Sequence, residues 1–153
     1  MGQTKPDRRL KVFSRLLFVV YMVIALYILL LSENFGRKTK SEYRYNLKPF
    51  NEIKRFYGLL DTEHREHALQ NLAGNVLCFV PFGLYHASEI GRKKHVIGIV
   101  TVLTCLFSLC VELTQLYFKI GIFDVDDLML NTLGGMIGAA GYCGAVIMHP
   151  AKK

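Results

Sequence analysis

Seven polar side chains fall where apolar neighbours dominate, and their types are those of acid–base and cation chemistry: Asn75, Glu112, Gln115, Asp124, Asp126, Asp127 and Asn131. Carboxylates withdrawn from water lend themselves to proton transfer, so Glu112 could serve as a base. Asp124, Asp126 and Asp127 offer the hard oxygen ligands that a divalent cation prefers. No nucleophile–base pair and no catalytic signature accompany them. Catalytic residues, metal and cofactor therefore stay unassigned, and the catalytic reading is an alternative to a binding one. The competing structural reading is that the amides hydrogen-bond between helices and the acids cap helix starts.

Depth along the chain argues that the seven form one layer. With a rise of 1.5 Å per residue, Glu112 and Gln115 lie about 9 and 5 Å from the end of one apolar run. By the same measure Asn75 lies roughly 10 Å into an earlier run, and Asn131 about 7 Å into a later one that begins near Asp126. Asp127 is the i,i+4 neighbour of Asn131 on the same face. Charged groups in such runs are costly in lipid, so they are expected to face a bundle interior or a water-filled cavity.

The runs that must position these residues are four. A bilayer core about 30 Å thick needs roughly 20 mostly apolar residues in helix. Residues 12–31, 68–88, 96–118 and 128–148 meet that length, the second least clearly, because it carries Asn71, Asn75 and Pro81. The 52% hydrophobic content of the 153 residues is high for a chain that must dissolve in water. The spacing predicts an all-α polytopic membrane protein: one domain, a bundle of four transmembrane helices, with the lipid bilayer as its first partner. The basic flank before the first run resembles a signal peptide, but LLLSEN offers no small-residue cleavage pattern, and a retained helix is expected.

The basic residues, 19 Lys and Arg against 12 acids, sit in tails and loops. That distribution suits membrane topology and not nucleic acid, which needs one accessible basic face. Short basic segments (Lys5, Arg8, Arg9, Lys11 and Arg15; Arg92, Lys93 and Lys94; Lys152 and Lys153) place both termini in the cytoplasm, whereas the loop 32–67 dilutes its eight cations with six acids. The seven polar residues would then form a layer just below the outer surface. In that outer loop Phe50, Ile53, Tyr57 and Leu60 recur at helical spacing opposite Asn51, Glu52, Lys54 and Arg55. The pattern predicts an amphipathic helix, lying either flat at the interface or packed on the bundle's mouth.

Other features read as structural. Cys78, Cys105, Cys110 and Cys143 lie in apolar runs without CxxC spacing, which supports neither zinc nor a redox motif. Pro81 should bend the second helix and leave the carbonyl of Leu77 without its usual donor. Gly134, Gly138 and Gly141, with Gly135 and Ala139, give the small-residue spacing that lets another backbone approach, in this chain or in a second copy. His64 and His67 beside Glu63 and Glu66 read as a solvated helix start more readily than as a metal site.

The stretches NLAGNVLCFVPFGL (71–84), VELTQLYF (111–118) and FDVDDLMLNTLGGMIG (123–138) resemble the signature blocks of the VanZ-like family, and NLKPFNEI (46–53) is similar to its outer-loop block. The resemblance spans roughly residues 10–148. It implies a bacterial integral membrane protein of the cell envelope, in a family named after a member that confers resistance to the glycopeptide teicoplanin. It places the polar signature on Asn75, Pro81, Gly83, Glu112, Gln115, Asp124, Asp126, Asp127, Asn131, Gly134 and Gly135. Ile122 follows Gly121 where many relatives carry Arg, so an interaction made by that Arg is either missing here or taken over by Lys119. Three roles stay open: a module at the outer face engaging a lipidated glycopeptide or a lipid-linked envelope precursor, an enzyme acting on a lipid-linked substrate, or a small transporter or scaffold that self-associates.

Overall fold

The computed structural model describes residues 8–31, 42–91 and 94–148. Lys5, the stretch 32–41, Arg92, Lys93, Lys152 and Lys153, all used in the charge count, lie outside the described residues. The described chain forms α1 (Arg8–Leu31), β1 (Tyr45–Asn46), α2 (Asn51–Gly58), α3 (Arg65–Ile90), α4 (Val96–Phe118), β2 (Phe123–Asp124) and α5 (Val125–Met148). Among the described residues α1, α4 and α5 are long and apolar enough to cross a membrane. α3 has the length, at 26 residues, but its Arg, Glu, His, Gln and Asn side chains dilute its hydropathy.

α4 has the expected bounds, Val96 to Phe118, while the other long helices are already helical before their apolar runs. α1 is already helical at Arg8, the first described residue, ahead of the apolar run at residue 12, because Arg, Leu and Lys are good helix formers whether or not lipid surrounds them. α3 likewise starts at Arg65, in a polar turn that a hydropathy reading omits. α5 starts at Val125 because the Asp124 side chain accepts the Asp126 amide at 2.9 Å and so caps the first turn.

The two strands correct the purely helical expectation. They pair in parallel, Tyr45 opposite Phe123 and Asn46 opposite Asp124. Two residues per strand are too few for an alternating pattern, so nothing in the sequence announces them. A parallel pair needs a long crossover, and here α2, α3 and α4 supply it.

The tightest packing is between α3 and α5, which share the largest contact in the fold. Its cause is glycine. A methyl group built on Gly83 would overlap the Gly135 carbonyl, and one on Gly134 or Gly138 would overlap the carbonyl of Val76 or Val80. A methyl on Gly135 would run into Thr104 of α4. The small-residue face expected to admit another backbone is thus largely filled by this chain's own helices, and only Gly141 of that stripe has open space beside it. Two apolar clusters flank the seam, one of Ala87, Val96, Val100 and Ala139 and one of Leu29, Phe79 and Val111.

α1 sits on the outside of this packing, with only Ala25 and Leu29 buried. It is tied to α3 beside the proline. α3 stays helical through Pro81, and the Tyr21 hydroxyl donates to the Cys78 carbonyl at 2.7 Å, one residue beyond the Leu77 carbonyl expected to need a donor. Phe18 stacks on Tyr85 at 3.7 Å between ring centroids. The four cysteines are free thiols.

Candidate functional site

The seven polar residues gather at the end of the bundle that carries α2, β1 and β2, and all are buried, between 0 and 7% exposed. Helical spacing explains part of this: Ser108, Glu112 and Gln115 recur at i, i+4 and i+7 on α4, and Asp127 and Asn131 at i and i+4 on α5. Asp127 accepts a hydrogen bond from Asn75 of α3 at 2.6 Å. Asn131 donates to Ser108 at 2.9 Å, and Gln115 donates to the Leu29 carbonyl of α1 at 2.9 Å. The layer thus links every long helix of the fold. Two buried amide oxygens, Gln115 Oε1 and Asn131 Oδ1, have no hydrogen-bond partner among the described residues.

Above this level the acids hold backbone. α4 ends in a Schellman-type turn, with the amide of Ile120 on the Gln115 carbonyl and Lys119 in the left-handed region at φ 56°. That turn sends the chain into β2, where the Asp124 amide donates to Glu112 Oε2 at 3.0 Å. The Asp124 carboxylate accepts from its own helix at Asp126 and from Asn46 of β1 at 3.1 Å. Burial pushes the Asp124 carboxyl above the usual aspartate range, and the two hydrogen bonds pull it part of the way back.

Asp126 does something the sequence does not suggest. It lies in the first turn of α5, yet its carboxylate caps a different helix: one oxygen accepts the Phe50 amide, the other the amides of Glu52 at 2.8 Å and Ile53 at 3.1 Å. α2 has no side-chain cap of its own. A carboxylate against the unpaired amides of a helix start gains from both the hydrogen bonds and the helix dipole. The same contact holds Phe50 at φ 63°, a left-handed conformation that costs roughly 1–2 kcal/mol for a residue other than glycine.

α2 is held at this end of the bundle with Ile53 half-buried, while Phe50 and Tyr57 of its expected apolar face stay exposed. Beside it the Glu52 carboxyl is raised by burial and partly lowered again by Arg55, with which it pairs. The Lys119 ammonium lies over the Tyr43 ring, 4.5 Å from its centroid, and Ile122 is half-buried.

The three aspartates are engaged separately in this geometry. Asp126 spends both oxygens on backbone amides, Asp124 caps α5, and Asp127 pairs with Asn75. Among the described residues no group of three or more His, Cys, Asp or Glu is placed to hold a metal ion. Sequence reasoning missed Asn46, Ser108 and the backbone of Leu29, and it placed Phe50 only on the apolar face of the outer-loop helix. Asn46 lies in the outer-loop block NLKPFNEI, which was the one available signal for it.

Long apolar helices, joined at one end by a buried polar layer that fixes a short extramembrane cap, define a helical membrane protein. The chain belongs to the VanZ/LLP1 family, whose profile matches residues 18–148. It is similar to Protein VanZ of Enterococcus faecium, with 30% identity over 134 residues that cover 84% of this chain and 72% of that protein. No solved structure matches the chain.

Proposed function

We propose that the chain is a single domain that crosses the bacterial cell membrane four times, with both termini in the cytoplasm, and that it contributes to glycopeptide resistance. Teicoplanin is the compound we expect it to act against. The polar layer of Asn75, Glu112, Gln115, Asp124, Asp126, Asp127 and Asn131 is the functional centre in this reading, and α2 with β1 is the surface it holds ready. Family membership supports the resistance role. The observation that supports the site is a chain of buried acids from separate elements that leads to the cap: Glu112 accepts the Asp124 amide, Asp124 accepts the Asn46 side chain of β1, and Asp126 accepts the backbone amides at the start of α2. A cap presenting Tyr45, Leu47, Phe50 and Tyr57 to the outside suits a lipidated glycopeptide or a lipid-linked envelope precursor, which carry apolar tails at the membrane surface.

Growth across graded teicoplanin and vancomycin, with and without the gene, tests the role; no shift for either compound refutes it. Glu112→Gln and Asp127→Asn, measured for both membrane level and growth, test the site. The reading expects near-normal levels with the resistance lost, and full resistance in both variants refutes it. For topology, a reporter fused after Lys153 should be active in the cytoplasm and one inserted near Lys40 outside.

A further inference from the structure

At the opposite end of the bundle, away from the polar layer, α1 leans off α3 and α5 and leaves a groove of about 390 Å³ between them. Leu17, Phe18 and Tyr21 of α1, Pro81 and Tyr85 of α3 and Tyr142 of α5 line it, with Ser14 at its edge. The volume is in the range of sites for small ligands, roughly 300–1,000 Å³. Its shape has a cause already described: Tyr21 and the Phe18–Tyr85 stack pin α1 beside the proline, while Leu10, Phe13, Leu16 and Leu17 nearer the start of α1 remain 60–65% exposed.

The charge at the mouth of the groove selects its occupant. Arg8, Lys11 and Arg15 are exposed and recur at i, i+3 and i+7, so they form one stripe along the start of α1. Lys11 precedes Ser14 by three residues and Arg15 precedes Phe18 by three, so the stripe runs directly into the groove. The facing acid is Glu89 of α3, which meets Arg15 at 3.8 Å with both side chains largely exposed. Such a pair contributes little by itself and leaves the stripe's positive field in place. Lys94 and His95 add to the basic character of the same end.

We propose that this groove binds an anionic glycerophospholipid, with one acyl chain along Leu17, Phe18, Pro81 and Tyr142 and the phosphate between Lys11 and Arg15. A second copy of the chain fits less well, because its own basic stripe would be brought towards this one. A zwitterionic lipid fills the apolar groove equally but brings no net charge to the cations. At roughly fivefold for each cation close to an anionic lipid, Lys11 and Arg15 together give a preference on the order of 25-fold. This site is independent of the resistance role.

The chain contains no tryptophan, which makes a local test available. Leu17→Trp places a single indole on the groove at a position 60% exposed, and Val102→Trp places one on α4 at a position also 60% exposed and outside the groove. The full chain in vesicles is titrated with dibrominated phosphatidylglycerol against dibrominated phosphatidylcholine, and quenching of the indole gives the relative affinity at each position. The expected result is a preference for the anionic lipid of on the order of 25-fold in Leu17→Trp, near unity in Val102→Trp, and near unity when Lys11→Gln and Arg15→Gln are added to Leu17→Trp. Equal preference at the two reporters overturns the proposal, as does a preference that survives both charge substitutions. Should that triple variant fail to reconstitute, Lys11→Gln with Leu17→Trp must lose about fivefold, and an unchanged preference is again refuting.

Discussion

Replacing Asp126 by Ala should release α2 from the bundle without unfolding the long helices. The carboxylate accepts three backbone amides, from Phe50, Glu52 and Ile53. Hydrogen bonds to a charged group are worth about 1.5–3 kcal/mol each when buried. Here the donors sit at a helix start where water can take over in part, as in ordinary capping, where a lost cap costs about 0.5–2 kcal/mol. Counting about 1 kcal/mol per amide gives on the order of 3 kcal/mol, or roughly a 100-fold rise in the undocked population. Release of Phe50 from its left-handed conformation adds to the drive. Amide hydrogen exchange in detergent or nanodiscs reads this directly: peptides covering 44–60 should exchange roughly 100-fold faster, while those covering 100–115 stay as protected as in the unmodified chain. Asp126→Asn should fall near the alanine variant, since either orientation of the amide turns an NH2 group onto backbone donors. Unchanged exchange over 44–60 in Asp126→Ala would refute the capping argument.

Gly83→Ala should abolish the folded α3–α5 seam, because its methyl meets the Gly135 carbonyl, whereas Gly141→Ala should be neutral; monodisperse yield in detergent separates the two. Tyr21→Phe removes the donor to the Cys78 carbonyl and should cost about 0.5–1.5 kcal/mol in a thermal unfolding comparison, with no change in yield. For pH, burial raises the Asp124 carboxyl in the folded chain above its unfolded value. Across that window the folded state binds more protons, so the contribution of Asp124 to stability is most favourable below the usual aspartate range and falls as pH rises through the window. Asp124→Asn should flatten that fall in melts taken between acid and neutral pH.

The long helices were legible because bilayer length and apolar runs leave few alternatives; α4 has the expected bounds, whereas α3 and α5 start earlier than expected because their first turns are set by Arg65 and the Asp124 cap instead of by hydropathy. Depth put Asn75, Glu112, Gln115 and Asn131 at one level and helical spacing added Asp127; the structure adds the bonds, Asn75 to Asp127, Asn131 to Ser108, Glu112 to the Asp124 amide and Gln115 to α1. What depth could not supply was direction. Asp126 reads as the cap of its own helix, and only the fold shows that it caps α2, whose backbone amides carry no sequence signal. Gly141 belonged to the stripe by spacing, yet the seam with α3 is already complete before it.

The cap also has a timetable. Phe50 and Asp126 are 76 positions apart, and at a synthesis rate of roughly 5–20 residues per second the carboxylate emerges about 4–15 s after the amide it will bind. Until then α3 and α4 are made while Phe50's amide lacks that acceptor. The start of α2 is therefore capped only once α5 has begun, and a chain stopped before α5 would carry α1 to α4 but leave those amides without their carboxylate.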